Sequence, residues 1–276
     1  MAAARTIPEV GKFVAYLLLL ASIAVGAAWY SLRAGVIPAS VNPIRKAVAE
    51  DTSWLSDLYS QNPRDTEKGT AKVGQLGVRA LPRIQATLRD SSAEHNHRRA
   101  ALRACAILGV AAEPVIPDVA AALSERDLAA DAAVALSFMG PKALPPLGKA
   151  LASNDSTVRR EALRSIGKLR FRAPLESREV LPLVLDAMTD LDDGVRAVAA
   201  TYLGIMHEDA TASVPLLTQG LEDPSPAVRR ESATALGSFG TEAASALPAL
   251  KKAAGDQDPD LAREAGRAIV AVSGGK

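Results

Sequence analysis

Cysteine, histidine and aromatic residues are all scarce in this chain of 276 residues, and each scarcity removes a class of function. A lone cysteine, Cys105, rules out an internal disulfide framework. It stands in AALRACAILG, on the apolar side of a helical pattern, and reads as a buried structural thiol. Aromatics are 4% of the chain, which suits thin alanine- and leucine-packed layers rather than platforms for stacking bases. The formal net charge is only +1, so no general attraction to nucleic acid or acidic surfaces is expected. The histidines are His95, His97 and His207. His95 and His97 stand two apart and would diverge on one helix, so they read as part of a solvated interhelical loop without a metal. No convincing strand carries a glycine-rich phosphate loop, and no serine stands in a G-x-S-x-G elbow. Catalytic, cofactor-binding and metal-ligating residues are therefore expected to be none, with no small-molecule substrate evident.

What the chain does have is repetition. The stretch Val214 to Gly240, VPLLTQGLEDPSPAVRRESATALGSFG, begins with an apolar residue and a proline. An acidic, proline-rich turn follows, then Val-Arg-Arg-Glu, an alanine-rich stripe and a glycine. The apolar-proline pair recurs at Leu81-Pro82, Ile116-Pro117, Leu144-Pro145, Leu181-Pro182 and Leu247-Pro248. Successive prolines stand 35, 28, 37, 33 and 33 residues apart. A period in the low thirties marks stacked helical hairpins. Proline fits the first turn of a helix, where its missing N–H has no partner anyway. Val214, Leu216, Leu217 and Leu221 then form a stripe at helical spacing, and the turn at Pro224 and Pro226 ends that helix. The second helix carries Val228, Ala235, Leu236 and Phe239, with Gly240 as its C-cap. Neither helix can bury its apolar face alone, so hairpins must stack on one another.

The Asp-turn-Val-Arg pattern followed by Ala-Leu-Gly resembles HEAT repeats, in particular the short HEAT-like variety of phycobilisome lyases. It runs from Asp155 through Val158-Arg159 to Gly167, from Asp193 through Val195-Arg196 to Gly204, and from Asp223 through Val228-Arg229 to Gly237. The last unit departs from it, with Leu261-Ala262-Arg263 and no equivalent glycine, and the unit at Glu125-Arg126-Asp127 lacks Val-Arg. The resemblance covers roughly residues 55–272. It implies an all-α protein, a right-handed α-solenoid of about seven HEAT-like hairpins over 44–272. It also implies a ladder in which Arg159, Arg196 and Arg229 pair with the turn acids Asp155, Asp193 and Asp223. A planar guanidinium suits such a fixed bidentate geometry better than lysine does. HEAT-like hydroxylases hold two irons with several His-Glu pairs; this chain has one, His207-Glu208, and does not fit that pattern.

The amino-terminal part is different. Residues 1–12 form a tail, and Phe13 to Leu32 is an uncharged run of 20 residues, enough to cross a bilayer as a helix. Tyr16, Trp29 and Tyr30 sit where interfacial aromatics belong, and Lys12 and Arg33 bracket the run. The competing reading is a signal peptide cleaved near Val25-Gly26-Ala27, but the run exceeds the usual length of a signal core. A single-pass membrane anchor is expected, with the repeats on the extracytoplasmic side. Residues 33–43 form a juxtamembrane linker, a helix runs from Ile44 to about Tyr59, and 273–276 is a frayed tail.

Among basic residues, Arg160, Arg164 and Lys168 are four apart and share one helix face. The matching positions in the next two repeats are Ala197, Thr201 and Ile205, then Arg230, Thr234 and Ser238. The stripe breaks, which argues against a surface that tracks phosphates. If second helices line the concave side, as in similar stacks, Arg103, Arg160, Arg164, Arg230 and Arg267 are exposed candidates for contacting a protein partner. The expected function is a non-catalytic, membrane-anchored scaffold for such a partner. Two alternatives are a lyase or lyase subunit acting on a chromophore-bearing partner, which the resemblance alone suggests, and a purely structural component of an envelope or membrane complex.

Overall fold

The computed structural model describes residues 53–173 and 175–274. The expected anchor Phe13 to Leu32, its flanking tail and linker, and the start of the helix at Ile44 lie outside the described residues. Fourteen α-helices follow one another among the described residues, with no strand. They form seven consecutive pairs: α1 Ser53–Leu58 with α2 Pro63–Leu76, α3 Leu81–Arg89 with α4 His95–Leu108, and α5 Ile116–Ala122 with α6 Ala129–Leu136. The remaining pairs are α7 Leu144–Ala150 with α8 Ser156–Arg172, α9 Ser177–Ala187 with α10 Asp193–Met206, α11 Ala210–Gly220 with α12 Pro226–Ser238, and α13 Leu247–Ala253 with α14 Pro259–Val272. Second helices pack side by side in sequence order, and from α4 onward each also packs on its own first helix. The chain from Trp54 onward is one compact unit. This is a helical-repeat solenoid.

Local chemistry explains the boundaries. Side-chain oxygens of Asn62, Asp155, Asp192 and Asp258 accept backbone N–H groups in the first turns of α2, α8, α10 and α14, satisfying donors that a helix start leaves unpaired. Prolines 82, 117, 145 and 248 occupy the first turn of α3, α5, α7 and α13. Pro182 and Pro215 instead lie inside α9 and α11, which begin five residues earlier. In the other repeats a short 3-10 turn precedes the proline, as at Gly77–Ala80 and Gly240–Ala246. The opening turns of α9 and α11 take the place of that turn. Gly77, Gly109 and Gly240 follow second helices with φ near +55°, a conformation that favours glycine. His95 and His97 belong to the first turn of α4, not to a loop, because the helix already starts after Glu94.

The core runs between the two helix layers. First helices contribute Ile84, Val119, Leu147, Val184, Leu217 and Leu250, and second helices contribute Leu102, Leu136, Leu163, Leu203, Leu236 and Leu261, all fully buried. Each such side chain contributes roughly 1.5–3 kcal/mol on removal from water. The segment His95–Ala122 is long and apolar enough to cross a membrane. Gly109 breaks it into α4 and α5, however, and Ala100, Leu102, Ala104, Cys105, Val115 and Val119 pack in this core. Its apolar residues thus belong to two separate helices, each turning one face into this core. Burial pushes the Cys105 thiol up to about 12. The folded protein is therefore expected to resist a thiol-alkylating reagent at neutral pH and to react stoichiometrically once denatured. Alkylation at equal rates in the two states would show that Cys105 is not enclosed.

The glycine of the Ala-Leu-Gly motif has a packing cause. A Cβ on Gly204 would come within 2.7 Å of the Ala235 Cα on the next second helix, and one on Gly237 within 3.3 Å of the Ala268 Cα. At Gly167 an added Cβ would run into the Tyr202 ring. The equivalent place in α14 is Val270, which is 58% exposed, and no helix follows α14 among the described residues to require a small residue there.

Candidate interaction surface

Two rows of side chains run along the second helices, and they have opposite characters. The first row lies at the interhelical turns. Arg159 donates from Nε and Nη2 to Asp190 at 2.8 and 2.6 Å, and from Nη1 to the carbonyls of Ser153 and Asn154. Arg196 repeats this one unit later, to Asp223 at 2.7 and 2.9 Å and to the carbonyls of Asp190 and Leu191. Both pairs are mostly shielded from water.

These contacts correct the expected pairing. Each arginine bonds the backbone of its own turn, while its carboxylate partner belongs to the following repeat: Asp190 rather than Asp155, Asp223 rather than Asp193. The reason is local. Asp155 caps α8 by accepting the Thr157 N–H, and Asp193 accepts a hydrogen bond from Ser225 Oγ, so both are already engaged. Asp190 and Asp223 sit two residues before the N-cap, hold the N-cap N–H with one oxygen, and face back toward the preceding arginine. Arg229 reaches the carbonyls of Asp223 and Pro224, but among the described residues its buried Nε has no hydrogen-bond partner, and Asp223 pairs with Arg196 instead. Asp256, the counterpart of Asp190 and Asp223, lines the same cleft as Arg229 and accepts the Asp258 N–H. An earlier rung, Arg98 to Glu125 at 2.5 and 2.6 Å, lacks the Val-Arg signature, because His97 stands where valine does elsewhere.

The rungs have a pH signature. The hydrogen bond from Arg196, aided by the Ser225 N–H and opposed by burial, holds the Asp223 carboxyl below its ordinary 3.8. At Asp190 burial pushes the other way, and the Arg159 hydrogen bond and the Asp192 N–H outweigh it. A carboxyl with a depressed folded pKa contributes stability that is complete above its unfolded value and is lost as pH falls through the folded one. The urea midpoint is therefore expected to fall between about pH 5 and about pH 3, and Asp223→Asn should flatten part of that fall. An unchanged pH dependence in the variant would remove Asp223 from the account.

The second row is the outward face of the same helices. Arg164 on α8 is half exposed and takes Glu161 at 2.8 Å, and its carbonyl accepts the Tyr202 hydroxyl from α10. Burial raises the Tyr202 pKa against the pull of Arg164 and Arg172, which keeps that hydroxyl a donor. Arg160 lies 3.9 Å from Glu161 and is one-third exposed. Arg230 reaches Asp260 at 3.2 Å, and Arg267 takes Glu264 on its own helix at 2.9 Å. Arg103 donates to the Leu58 carbonyl and lines a cleft of about 540 Å³ together with Tyr59, Arg99 and Asp131. Arg99 spans that cleft, 4.8 Å over the Tyr59 ring and 2.7 Å from Asp131. The five candidate arginines are thus spread over α4, α8, α12 and α14 rather than gathered at one place.

The aromatic part of this face does not stand out in the linear sequence. Phe138, just beyond α6, is 37% exposed, and the Arg172 guanidinium of α8 covers it at 3.9 Å while donating to Ser137 Oγ. Phe171 and Ile205 are 59% and 54% exposed. The one signal that could have found them is large apolar residues at polar register positions, Phe138 and Ile205 aligning with Lys168. His207 packs edge-on against Phe239 at 4.8 Å, and Glu208 bonds Arg170 at 2.6 Å, so this His-Glu pair serves inter-repeat packing. Among the described residues no group of three or more histidine, cysteine or acidic side chains is placed to hold a metal.

The sequence matches the family of HEAT repeats over residues 116–204 and again over 181–270. No curated protein matches it. Among solved structures it is similar to a chain in a structure of Kap95p bound to RanGDP, at 15% identity and a TM-score of 0.55, over 85% of this chain and 36% of that one. The chain thus spans about a third of that protein. It is also similar to an engineered protein at 19% identity, with a TM-score of 0.43, over 82% of this chain and 97% of that one. A designed armadillo repeat protein in complex with the peptide (KR)4 aligns at 17% identity and a TM-score of 0.45, over 81% and 99% of the two chains. The protein is a helical-repeat solenoid, and the chain belongs to the HEAT-repeat family.

Proposed function

We propose that this protein is a non-catalytic scaffold, held to a membrane by a helix over Phe13 to Leu32, that binds a protein partner on the outward face of its second helices. The observation that carries the reading is the contrast between the two rows. The Arg159–Asp190 and Arg196–Asp223 rungs are mostly shielded and matched in charge, whereas the outward row keeps Phe138, Phe171 and Ile205 partly in water beside Arg164, Lys168 and Arg172. A solenoid needs no exposed aromatic residues to fold. Aromatic residues and arginine are the side chains most enriched where proteins meet. Anchoring rests on the uncharged run and its aromatic and basic flanks. Those flanks are nearly balanced in charge, with Arg5 and Lys12 before the run and Arg33, Arg45 and Lys46 after it, so the extracytoplasmic placement of the repeats rests instead on the tendency of an N-terminal anchor to leave its short tail in the cytoplasm.

Affinity purification of the tagged full chain from detergent-solubilised membranes of its source cells tests both parts. The expected result is a stoichiometric partner that remains with wild type and is lost when Arg103, Arg160, Arg164, Arg230 and Arg267 are replaced together by serine. Recovery of the tagged chain from the soluble fraction would defeat the anchor. A partner held equally by the substituted chain would defeat the binding face.

A further inference from the structure

Helices α6, α8 and α10 lie side by side, and their outward positions make a pattern that no single helix shows. Arg164, Lys168 and Arg172 stand at i, i+4 and i+8 on α8, a cationic line about 12 Å long at 1.5 Å per residue. In the repeat register Val134 and Phe138 of the preceding unit match Arg164 and Lys168, and Thr201 and Ile205 match them in the following unit. The line is therefore flanked by apolar side chains: Val134 and Phe138, each 37% exposed, on one side, and Ile205, 54% exposed, on the other. Among the described residues neither Lys168 nor Arg172 has a carboxylate partner, and Arg164 shares Glu161 with Arg160. Arg172 is held in place over Phe138, so one cation is fixed against the apolar flank rather than free to swing.

We propose that this strip docks an acidic amphipathic helix of a protein partner, with carboxylates at every fourth position over Arg164, Lys168 and Arg172 and apolar residues on Phe138, Val134 and Ile205. The proposal rests on the reading that the second-helix face binds protein, and it names the chemistry of that partner. Charge complementarity chooses the sign, and the apolar flanks choose protein over nucleic acid. A phosphate backbone would need cations to continue onto the adjacent helix, where α10 offers Thr201 and Ile205 instead. A helix laid in a groove uses both features at once, a central charged line and two apolar margins. The surplus charge also steers the encounter, so binding weakens as salt is raised.

The test uses the full-length chain in detergent and fluorescence anisotropy with three labelled probes. One is a peptide of about four helical turns with glutamate at every fourth position and leucine and phenylalanine on the flanks. The second replaces each glutamate by glutamine, and the third is an oligothymidylate of similar length. The acidic peptide is expected to bind at least about 10-fold tighter than either other probe. The double variant K168E/R172E should weaken it by about 10-fold or more, and Phe138→Ala by about 5-fold. Lys251→Glu, on the exposed side of α13, should leave it unchanged. These side chains are exposed, so circular dichroism should report the same helix content in every variant. Equal binding of the glutamine peptide or of the oligothymidylate would overturn the proposal, as would an acidic peptide indifferent to K168E/R172E. A native partner that K168E/R172E retains but the five-arginine variant loses would overturn the strip and leave the second-helix face standing. A partner indifferent to every second-helix substitution would overturn both.

Discussion

Replacing Gly204 by alanine is expected to destabilise the protein by about 2–3 kcal/mol, although alanine is the better helix former. Propensity alone predicts a gain of up to about 1 kcal/mol. The added methyl would lie 2.7 Å from the Ala235 Cα and 2.8 Å from its Cβ, and backbone on an adjacent helix cannot step aside as a flexible side chain can. Helices α10 and α12 would have to separate, opening the layers that Leu203 and Leu236 fill. For a domain of this size such a loss lowers Tm by roughly 5–10 °C. Gly237→Ala meets Ala268 at 3.3 Å and should cost less, whereas Gly266→Ala meets nothing within 4 Å among the described residues and should stabilise by up to about 1 kcal/mol. If thermal unfolding ranked Gly204→Ala beside Gly266→Ala, close helix approach would not be what the motif glycine provides.

The second large effect concerns the ladder. Arg196→Ala removes two hydrogen bonds to Asp223 and two to the turn carbonyls of Asp190 and Leu191. It leaves a largely shielded carboxylate without its partner, a situation that costs more than the pair itself contributes. The side chains retain 16% and 12% exposure, so we expect about 2–4 kcal/mol rather than the full cost of a buried ion. Arg229→Ala removes two carbonyl hydrogen bonds and a longer-range attraction to Asp223, and should cost about 1–2 kcal/mol. Arg196→Lys should recover less than half of the loss, because an ammonium cannot span Asp223 and two carbonyls in one plane. Equal effects of Arg196→Ala and Arg229→Ala in urea unfolding would mean that the inter-repeat carboxylate bond adds nothing.

Much of this architecture is legible in the sequence. The apolar-proline steps and the Val-Arg signature locate the helix pairs from residue 81 onward, since a hairpin that cannot bury its own apolar face leaves a periodic trace. The pairing of the ladder is not legible. Sequence proximity favours Asp155 for Arg159, but capping has already engaged that carboxylate, and stacking brings Asp190 from the next unit within reach. The open rung at Arg229 is hidden for the same reason, as Asp223 pairs backward with Arg196. Glycine at the motif position is visible as a pattern, but its cause lies on another helix, in Ala235 and Ala268. The outward face is half legible. The stripe Arg160, Arg164, Lys168 stands out in one helix, whereas Phe138 and Ile205 acquire meaning only when adjacent second helices set them beside Lys168.

Each helix pair is held chiefly by its immediate neighbours, so that stability is a sum of local interfaces. Residue-resolved hydrogen exchange on the full-length chain, wild type against Gly204→Ala, tests this most directly. Protection should fall most in α10 and α12, less in α8 and α14, and remain unchanged in α3 to α6. A uniform loss of protection from α3 to α14 would contradict it.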